Sequence, residues 1–224
     1  MSTHSPTFHH ATRLHQSLLA AHERRLLVWT AHHLPAWINS DHLTFLGFTA
    51  QLMTGVTYGL SRFSRLWLIA SVGFLVLNWL GDSMDGTLAR VRQNLRPRYG
   101  FYLDHMLDSI GAVALVGGLA LSGYISPVIA AGLLVLFLLL SIQSYLATYT
   151  LGEFQMSFWS FGPTELRVLL AAGNLALFWS PIALSNHYKL FDVGGALGIG
   201  GMAAMLIFST AKNTHRLYKE EPIR

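Results

Sequence analysis

The stretch Gly81–Ser109 reads GDSMDGTLARVRQNLRPRYGFYLDHMLDS, and its reading decides the fold. It carries Asp82, Asp85, Asp104 and Asp108, four of the six aspartates in the chain, between segments apolar enough to lie in a bilayer. A carboxylate at membrane depth is expensive, so it points to function. Asp82 and Asp85 are three residues apart and Asp104 and Asp108 four apart, so each pair shares one face of a helix. Between the pairs, Asn94, Pro97 and Gly100 favour a break and a reversal. The spacing predicts two antiparallel helices that present both carboxylate pairs to one point. Four carboxylates cannot all stay ionised together in a low dielectric without cations. Oxygen-only ligands suit hard divalent ions such as Mg²⁺ or Mn²⁺. Two such ions can clamp the attacking and leaving oxygens of a phosphoryl displacement. Gly86 and Ala89 expose backbone beside the carboxylates, and Arg90 offers a fork for phosphate. A polar turn with solvated carboxylates is the bland alternative, but such a turn rarely sets aspartates in register on both helices.

The rest of the chain agrees with a membrane setting. Of 224 residues, 52% are hydrophobic and only 12% charged, and the mean hydropathy is +0.43. That composition describes an all-α polytopic membrane protein rather than a soluble core. The lack of cysteine excludes disulfide staples and thiolate-held metals. The opening MSTHSPTFHHATRLHQ has neither the apolar core nor the cleavage pattern of a signal peptide.

Two regions are expected. Residues 1–42 form a cytoplasmic segment, irregular over 1–10. From Ala11 to about His33, Leu14, Leu18, Ala21, Leu26 and Trp29 recur at helical spacing. This predicts an amphipathic helix in the membrane interface, with Trp29 and Trp37 at headgroup level. The histidines at 4, 9, 10, 15, 22, 32 and 33 have no metal-ligand spacing and read as surface residues. Residues 43–224 form a domain of six transmembrane helices, at about 43–60, 66–90, 100–123, 127–150, 163–184 and 193–212. Each is near the ~20 residues that a bilayer core requires. Ser61-Arg62, the Arg-rich linker, Ser126-Pro127, Gly162-Pro163, Pro181 and Asp192 mark the ends.

Lys and Arg are distributed unevenly. Twelve fall on the side of the aspartates and both termini, and three (Arg62, Arg65 and Lys189) on the other. The basic side is expected to be cytoplasmic. In the fifth segment, Glu165 and Arg167 put opposite charges at the cytoplasmic end of a span. They read either as an ion pair or capping residues, or as an acceptor-binding pair. Arg167 with Arg96, Arg98 and Arg216 suits a phosphorylated acceptor, whereas Glu165 suits a cationic alcohol. Gly194-Gly195-x2-Gly198 permits close helix packing, inside the chain or against a partner.

The order D-x2-D-G-x2-A-R-x9-G-x3-D-x3-D, from Asp82 to Asp108, resembles the signature of the CDP-alcohol phosphotransferase family, the membrane enzymes of phospholipid synthesis. All eight fixed positions are present over 27 residues. The resemblance implies transfer of a substituted phosphoryl group from a CDP-alcohol to an acceptor hydroxyl, with release of CMP. It implies that Asp82, Asp85 and Asp104 hold metal, with Asp108 completing a second site and acting as general base. Gly86, Ala89 and Arg90 would seat the cytidine diphosphate. Asn39-Ser40-Asp41-His42-Leu43-Thr44 matches in part the family's Pro-Asn-x-aliphatic-Thr, so Asp41 and Thr44 would contact the donor; a helix N-cap and first turn is the other reading. The short chain looks like the branch that uses CDP-diacylglycerol. The alternative is an aminoalcohol phosphotransferase using CDP-choline or CDP-ethanolamine with diacylglycerol. The family also implies a homodimer. The partners expected are a CDP-lipid donor, a small alcohol and the bilayer, not nucleic acid. A cation-coupled transporter would also use paired aspartates, but it leaves Gly86, Ala89, Arg90 and the basic rim unexplained.

The charge asymmetry makes a direct prediction. A reporter active only in the periplasm, fused after Arg224, is expected to stay silent, and a strong signal from it would reverse the orientation.

Overall fold

The computed structural model describes residues 12–14, 20–155, 162–180 and 189–223, with side chains from residue 25 to 152 and through the last two ranges. Among them are seven helices and one short extended pairing. In chain order these are β1 (Thr12–Leu14), α1 (Ala20–His33), α2 (Ser40–Leu60), α3 (Leu66–Val91), α4 (Pro97–Leu121), α5 (Pro127–Leu151), β2 (Glu153–Gln155), α6 (Pro163–Trp179) and α7 (Leu190–Glu220).

The first helix starts later than its pattern suggested. Thr12–Leu14, expected inside it, is extended and pairs in parallel with Glu153–Gln155. Three residues are too few to make a sheet that stands alone. The expected irregular stretch 1–10 and the histidines at 4, 9, 10 and 15 lie outside the described residues.

Local chemistry explains most helix ends. Asn39 caps α2: its Oδ1 accepts the His42 N–H at 3.0 Å, and His42 Nδ1 accepts the Asn39 N–H at 3.2 Å. Pro97, Pro127 and Pro163 each open a helix, where a missing N–H costs nothing. Gly152 closes α5 in the left-handed region at φ 68. The reversal between α3 and α4 is made by Arg92–Arg96, with Gln93 at φ 53. Gly100, expected in that linker, lies inside α4, because Pro97 restarts the helix first.

Helices α2 to α7 fall on the six expected segments. Four of them, α3, α4, α5 and α7, are long and apolar enough to cross a membrane. Of the other two, α2 has 21 residues and falls short in apolarity, and α6 has 17 described residues. The fifth segment was expected to reach residue 184, and 181–188 lie outside the described residues. Among the described residues, then, four of the six expected spans are long and apolar enough to cross a membrane.

α2 is the centre of the packing and lies between α3 and α4. Its buried face includes Gly47, Ala50, Thr54, Gly55, Thr57 and Tyr58. A Cβ built on Gly81 of α3 would stand 2.6 Å from Gly47 Cα, and one on Gly118 of α4 would stand 2.7 Å from Gly55 Cα. Backbone therefore meets backbone at both crossings. Near one end, α1 lays Leu27 and Ala31 on Met84, Leu88 and Leu43. Leu26, Trp29 and Trp37 remain exposed. At the other end Tyr58, Leu68, Leu119, Ile125 and Leu177 form a second cluster.

Polar bonds fasten the outer helices. Asn174 of α6 donates to the Tyr58 hydroxyl at 3.0 Å. Asp192 of α7 accepts from the Ser126 N–H at 2.5 Å and its hydroxyl at 2.6 Å. Gly195 and Gly198 of α7 face Ile129 and Leu133 of α5, so these two members of the glycine run serve packing within the chain.

The crossings should be sensitive to volume. Gly55→Leu is expected to destabilise by at least the ~1–3 kcal/mol typical of overpacking. Gly73→Ala, at a helical site where a Cβ meets nothing within 4 Å, should be neutral or stabilise by up to ~1 kcal/mol. Thermal unfolding in detergent compares them, and equal shifts would contradict the close approach at Gly55.

Candidate active site

The two carboxylate pairs converge as the spacing required, with one difference. Asp82 of α3 and Asp104 and Asp108 of α4 each offer an oxygen, and these oxygens lie within 4.8 Å of one another. Asp85 lines the same cavity, together with Thr44, Gln51 and Asn78, but it is outside that triad. Its carboxylate is engaged elsewhere: Oδ2 accepts the Thr44 hydroxyl at 2.8 Å and Oδ1 accepts the Gly86 N–H at 2.5 Å. Thr44 thus reaches the site, one turn beyond the Asn39 cap. The fourth carboxylate is held by α2, while the other three face one another.

Asp82 has a cationic partner. Arg167 of α6 donates from Nη2 to Asp82 Oδ2 at 2.6 Å and from Nε to Asn78 Oδ1 at 2.7 Å. Asn78 Nδ2 in turn donates to the Gly47 carbonyl at 3.0 Å. One chain of bonds therefore joins α6, α3 and α2. The side chains of Arg167 and Asp82 are only 15% and 27% exposed, so their attraction is weakly screened. Removing one partner from such a pair leaves a poorly solvated charge behind.

The remaining expected residues divide. Arg90 donates from Nη2 to Thr87 Oγ1 at 3.1 Å at the open end of α3. A Cβ on Gly86 would meet only Arg90 Nη1, at 3.6 Å, so this backbone is approachable. Ala89 beside it is half-buried. Asp41 pairs with Arg96, whose guanidinium also stacks 4.4 Å from the Tyr99 ring centroid. Glu165 accepts the Gly162 N–H at 2.9 Å and caps α6, so of the two charges at that helix end it is Arg167 that enters the aspartate site. His105 stands 3.9 Å from Asp104, with Nδ1 2.6 Å from the Phe101 carbonyl and its ring between Phe101 and Tyr145.

Two residues were missed at the sequence level. Asn78 lies one helical turn before Asp82 on an otherwise apolar span, and that spacing was a readable signal. Arg92 was counted only as a rim charge. Its guanidinium clasps the α1–α2 turn, donating to the carbonyls of Leu34 at 3.0 Å and Pro35 at 2.9 Å, and also to Ile38. Six residues on from Ile38, Thr44 holds Asp85. No local pattern in the sequence announces a bond made across more than fifty residues.

The donor set fits a hard divalent ion. The triad offers carboxylate oxygens alone, on two helices whose separation is fixed by α2. A family model for CDP-alcohol phosphatidyltransferase matches residues 37–208, which takes in every element from α2 to α6 and most of α7. No curated protein matches the chain significantly.

The Arg92 clasp has a measurable consequence. Arg92→Lys keeps the charge but cannot serve several carbonyls from one planar fork. Hydrogen–deuterium exchange over residues 34–44 is expected to rise clearly above that of the unaltered protein. Unchanged protection would show that the turn holds itself.

Proposed function

The chain belongs to the CDP-alcohol phosphatidyltransferase family, and from that premise we propose that it transfers a phosphatidyl group from CDP-diacylglycerol to a small alcohol and releases CMP. The observation that carries this reading is the convergence of Asp82, Asp104 and Asp108 from two helices beside a backbone open to a nucleotide at Gly86. A pair of Mg²⁺ or Mn²⁺ ions held by Asp82, Asp85, Asp104 and Asp108 would neutralise the diphosphate and stabilise CMP as a leaving group.

The chain's own residues do the rest. Gly86 and Ala89 admit the cytidine diphosphate, and Arg90 meets its phosphates. Thr44 fixes the orientation of Asp85 through its hydroxyl, and Asp41 with Arg96 flanks the donor at the rim. Asp108 accepts the proton of the acceptor hydroxyl as its oxygen attacks the lipid-bearing phosphorus. The new O–P ester forms as the bridging P–O bond to CMP breaks, so the phosphatidyl group changes hands and the proton stays on Asp108. Arg167 uses Nε and Nη2 on Asn78 and Asp82, which leaves Nη1 for an anionic acceptor. A phosphorylated alcohol offers an acceptor for that remaining donor, which choline or ethanolamine does not. Glu165, which would have favoured a cation, is drawn into the α6 cap. The site is read as cytoplasmic because the basic residues cluster on its side.

The test is CMP release by purified protein given CDP-diacylglycerol, Mn²⁺ or Mg²⁺, and a panel of alcohols with and without phosphate. Chelation by EDTA is expected to abolish turnover, and full activity in metal-free buffer would refute the metal role. Ion uptake by proteoliposomes without any CMP release would favour a transporter instead. Asp82→Asn should weaken binding of both metal and CDP-lipid. Asp108→Asn should keep measurable donor binding by calorimetry at saturating Mn²⁺, yet lose ~10²–10⁴ in turnover. Near-normal turnover in Asp108→Asn would remove it as the base.

A further inference from the structure

Far from the aspartates, a groove of about 500 Å³ follows the seam between α2 and α4. That volume lies within the ~300–1,000 Å³ of ligand sites. Val56 and Leu60 of α2 and Leu121 of α4 form its walls, and Gly55, Gly59 and Gly118 its floor. From Leu52 to Leu60 it spans ~12 Å along α2, at ~1.5 Å per residue. Arg62 and Phe63 stand at its mouth, with the Arg62 guanidinium 5.2 Å from the Phe63 ring centroid. Among the described residues Arg62 has no carboxylate partner.

The position of this mouth matters. α2 has 21 residues and is therefore ~30 Å long, about the thickness of a bilayer core. Thr44 binds Asp85 near one end of α2, and Arg62 lies just past the other. α3, which is apolar and long enough to cross a membrane, begins at Leu66, four residues on from Arg62, so a bilayer around it would put Arg62 at the headgroup level opposite the aspartates, with the apolar groove running from it toward mid-membrane.

We propose that this groove binds one acyl chain of an anionic phospholipid in the leaflet opposite the aspartates, with Arg62 on its phosphate. A slender apolar chain fits a narrow groove with a glycine floor, which no side chain among the described residues fills. Guanidinium matches phosphate with two parallel bonds, and its stem can lie along the apolar wall while the charge stays at headgroup depth. A second copy of this chain seated here would carry the Arg62 charge into an apolar contact, which is costly without a partner.

The experiment counts lipids held by the full chain. Protein is released from bilayer discs made of equal parts phosphatidylglycerol and phosphatidylcholine and examined by native mass spectrometry. The unaltered protein is expected to retain phosphatidylglycerol several-fold over phosphatidylcholine. A Cβ on Gly59 meets nothing within 4 Å, so the ring of Gly59→Phe enters the groove without striking backbone, and this variant should lose one bound lipid per chain. Arg62→Gln, on an exposed loop, should keep that lipid but lose the anionic preference. Equal retention of the two lipids by the unaltered protein, or full retention by Gly59→Phe, overturns the proposal. The chain has no cysteine, so Val56→Cys puts a lone thiol in the groove. Ready disulfide linkage of two copies through it would assign the groove to a second copy and overturn the lipid reading.

Discussion

The structure depends on one kind of contact, the approach of helix backbones where no Cβ intervenes. Gly47 meets Gly81, and Gly55 meets Gly118. In lipid there is little hydrophobic drive between helices, so close packing over small residues becomes a main source of association. These crossings seat α3 on one side of α2 and α4 on the other. α3 and α4 make little direct contact with each other. Their carboxylates nevertheless meet, because α2 sets the distance and the angle between them. At the level of the site, Gln51 of α2 lies against Gly111 of α4, and Thr44 of α2 bonds Asp85 of α3. A bulkier residue at either crossing would alter the geometry of the carboxylates without touching one of them.

Charge then decides what else must be present. Four carboxylates on two apolar helices repel one another, and the protein answers each differently. Asp82 takes the Arg167 guanidinium, and Asp85 takes a hydroxyl and a backbone N–H. Asp104 and Asp108 complete, with Asp82, a cluster of oxygens suited to a cation. This makes α6 part of the site, although it carries none of the aspartates. Its place beside α3 is tied to Asp82 and Asn78 at one end and, through Asn174, to Tyr58 at the other.

The sequence made some of this legible, and the division follows the range of each interaction. The register of Asp82 with Asp85 and of Asp104 with Asp108 is a local property of a helix, so each pair was readable from spacing alone, whereas the distance between the pairs is set by α2. The proline-opened helices were readable for the same reason. The Arg167–Asp82 pair was half readable: a charge at a helix end signals a partner, but its identity lies 85 residues away. The Arg92 clasp was not readable, since an arginine that counts toward a basic rim looks the same whether it faces solvent or ties down a turn. Gly100 was placed in the linker because glycine and proline both punctuate a chain, yet a proline in the first turn of a helix starts it and leaves a following glycine inside.

The most central of the long helices, α2, falls short of the apolarity of the four candidate spans, and the bilayer explains why. In water, a helix is made apolar by burial against protein. In lipid, the surroundings are already apolar, so the outer helices need hydrophobic surface and the inner ones need shape and hydrogen bonds. α5 is the most apolar of the four clear spans and among the least buried, while α3 is less apolar and the most buried of them. α2 continues that trend, with Thr54, Thr57 and Tyr58 in its buried face and Thr57 bonded to Ser71 of α3 at 2.9 Å. Its threonines satisfy themselves on carbonyls one turn back, as Thr54 does with Ala50, so they add little polarity to the interior. A hydropathy measure therefore undervalues the helix on which the site is built, because that helix meets other helices where a peripheral span would meet lipid.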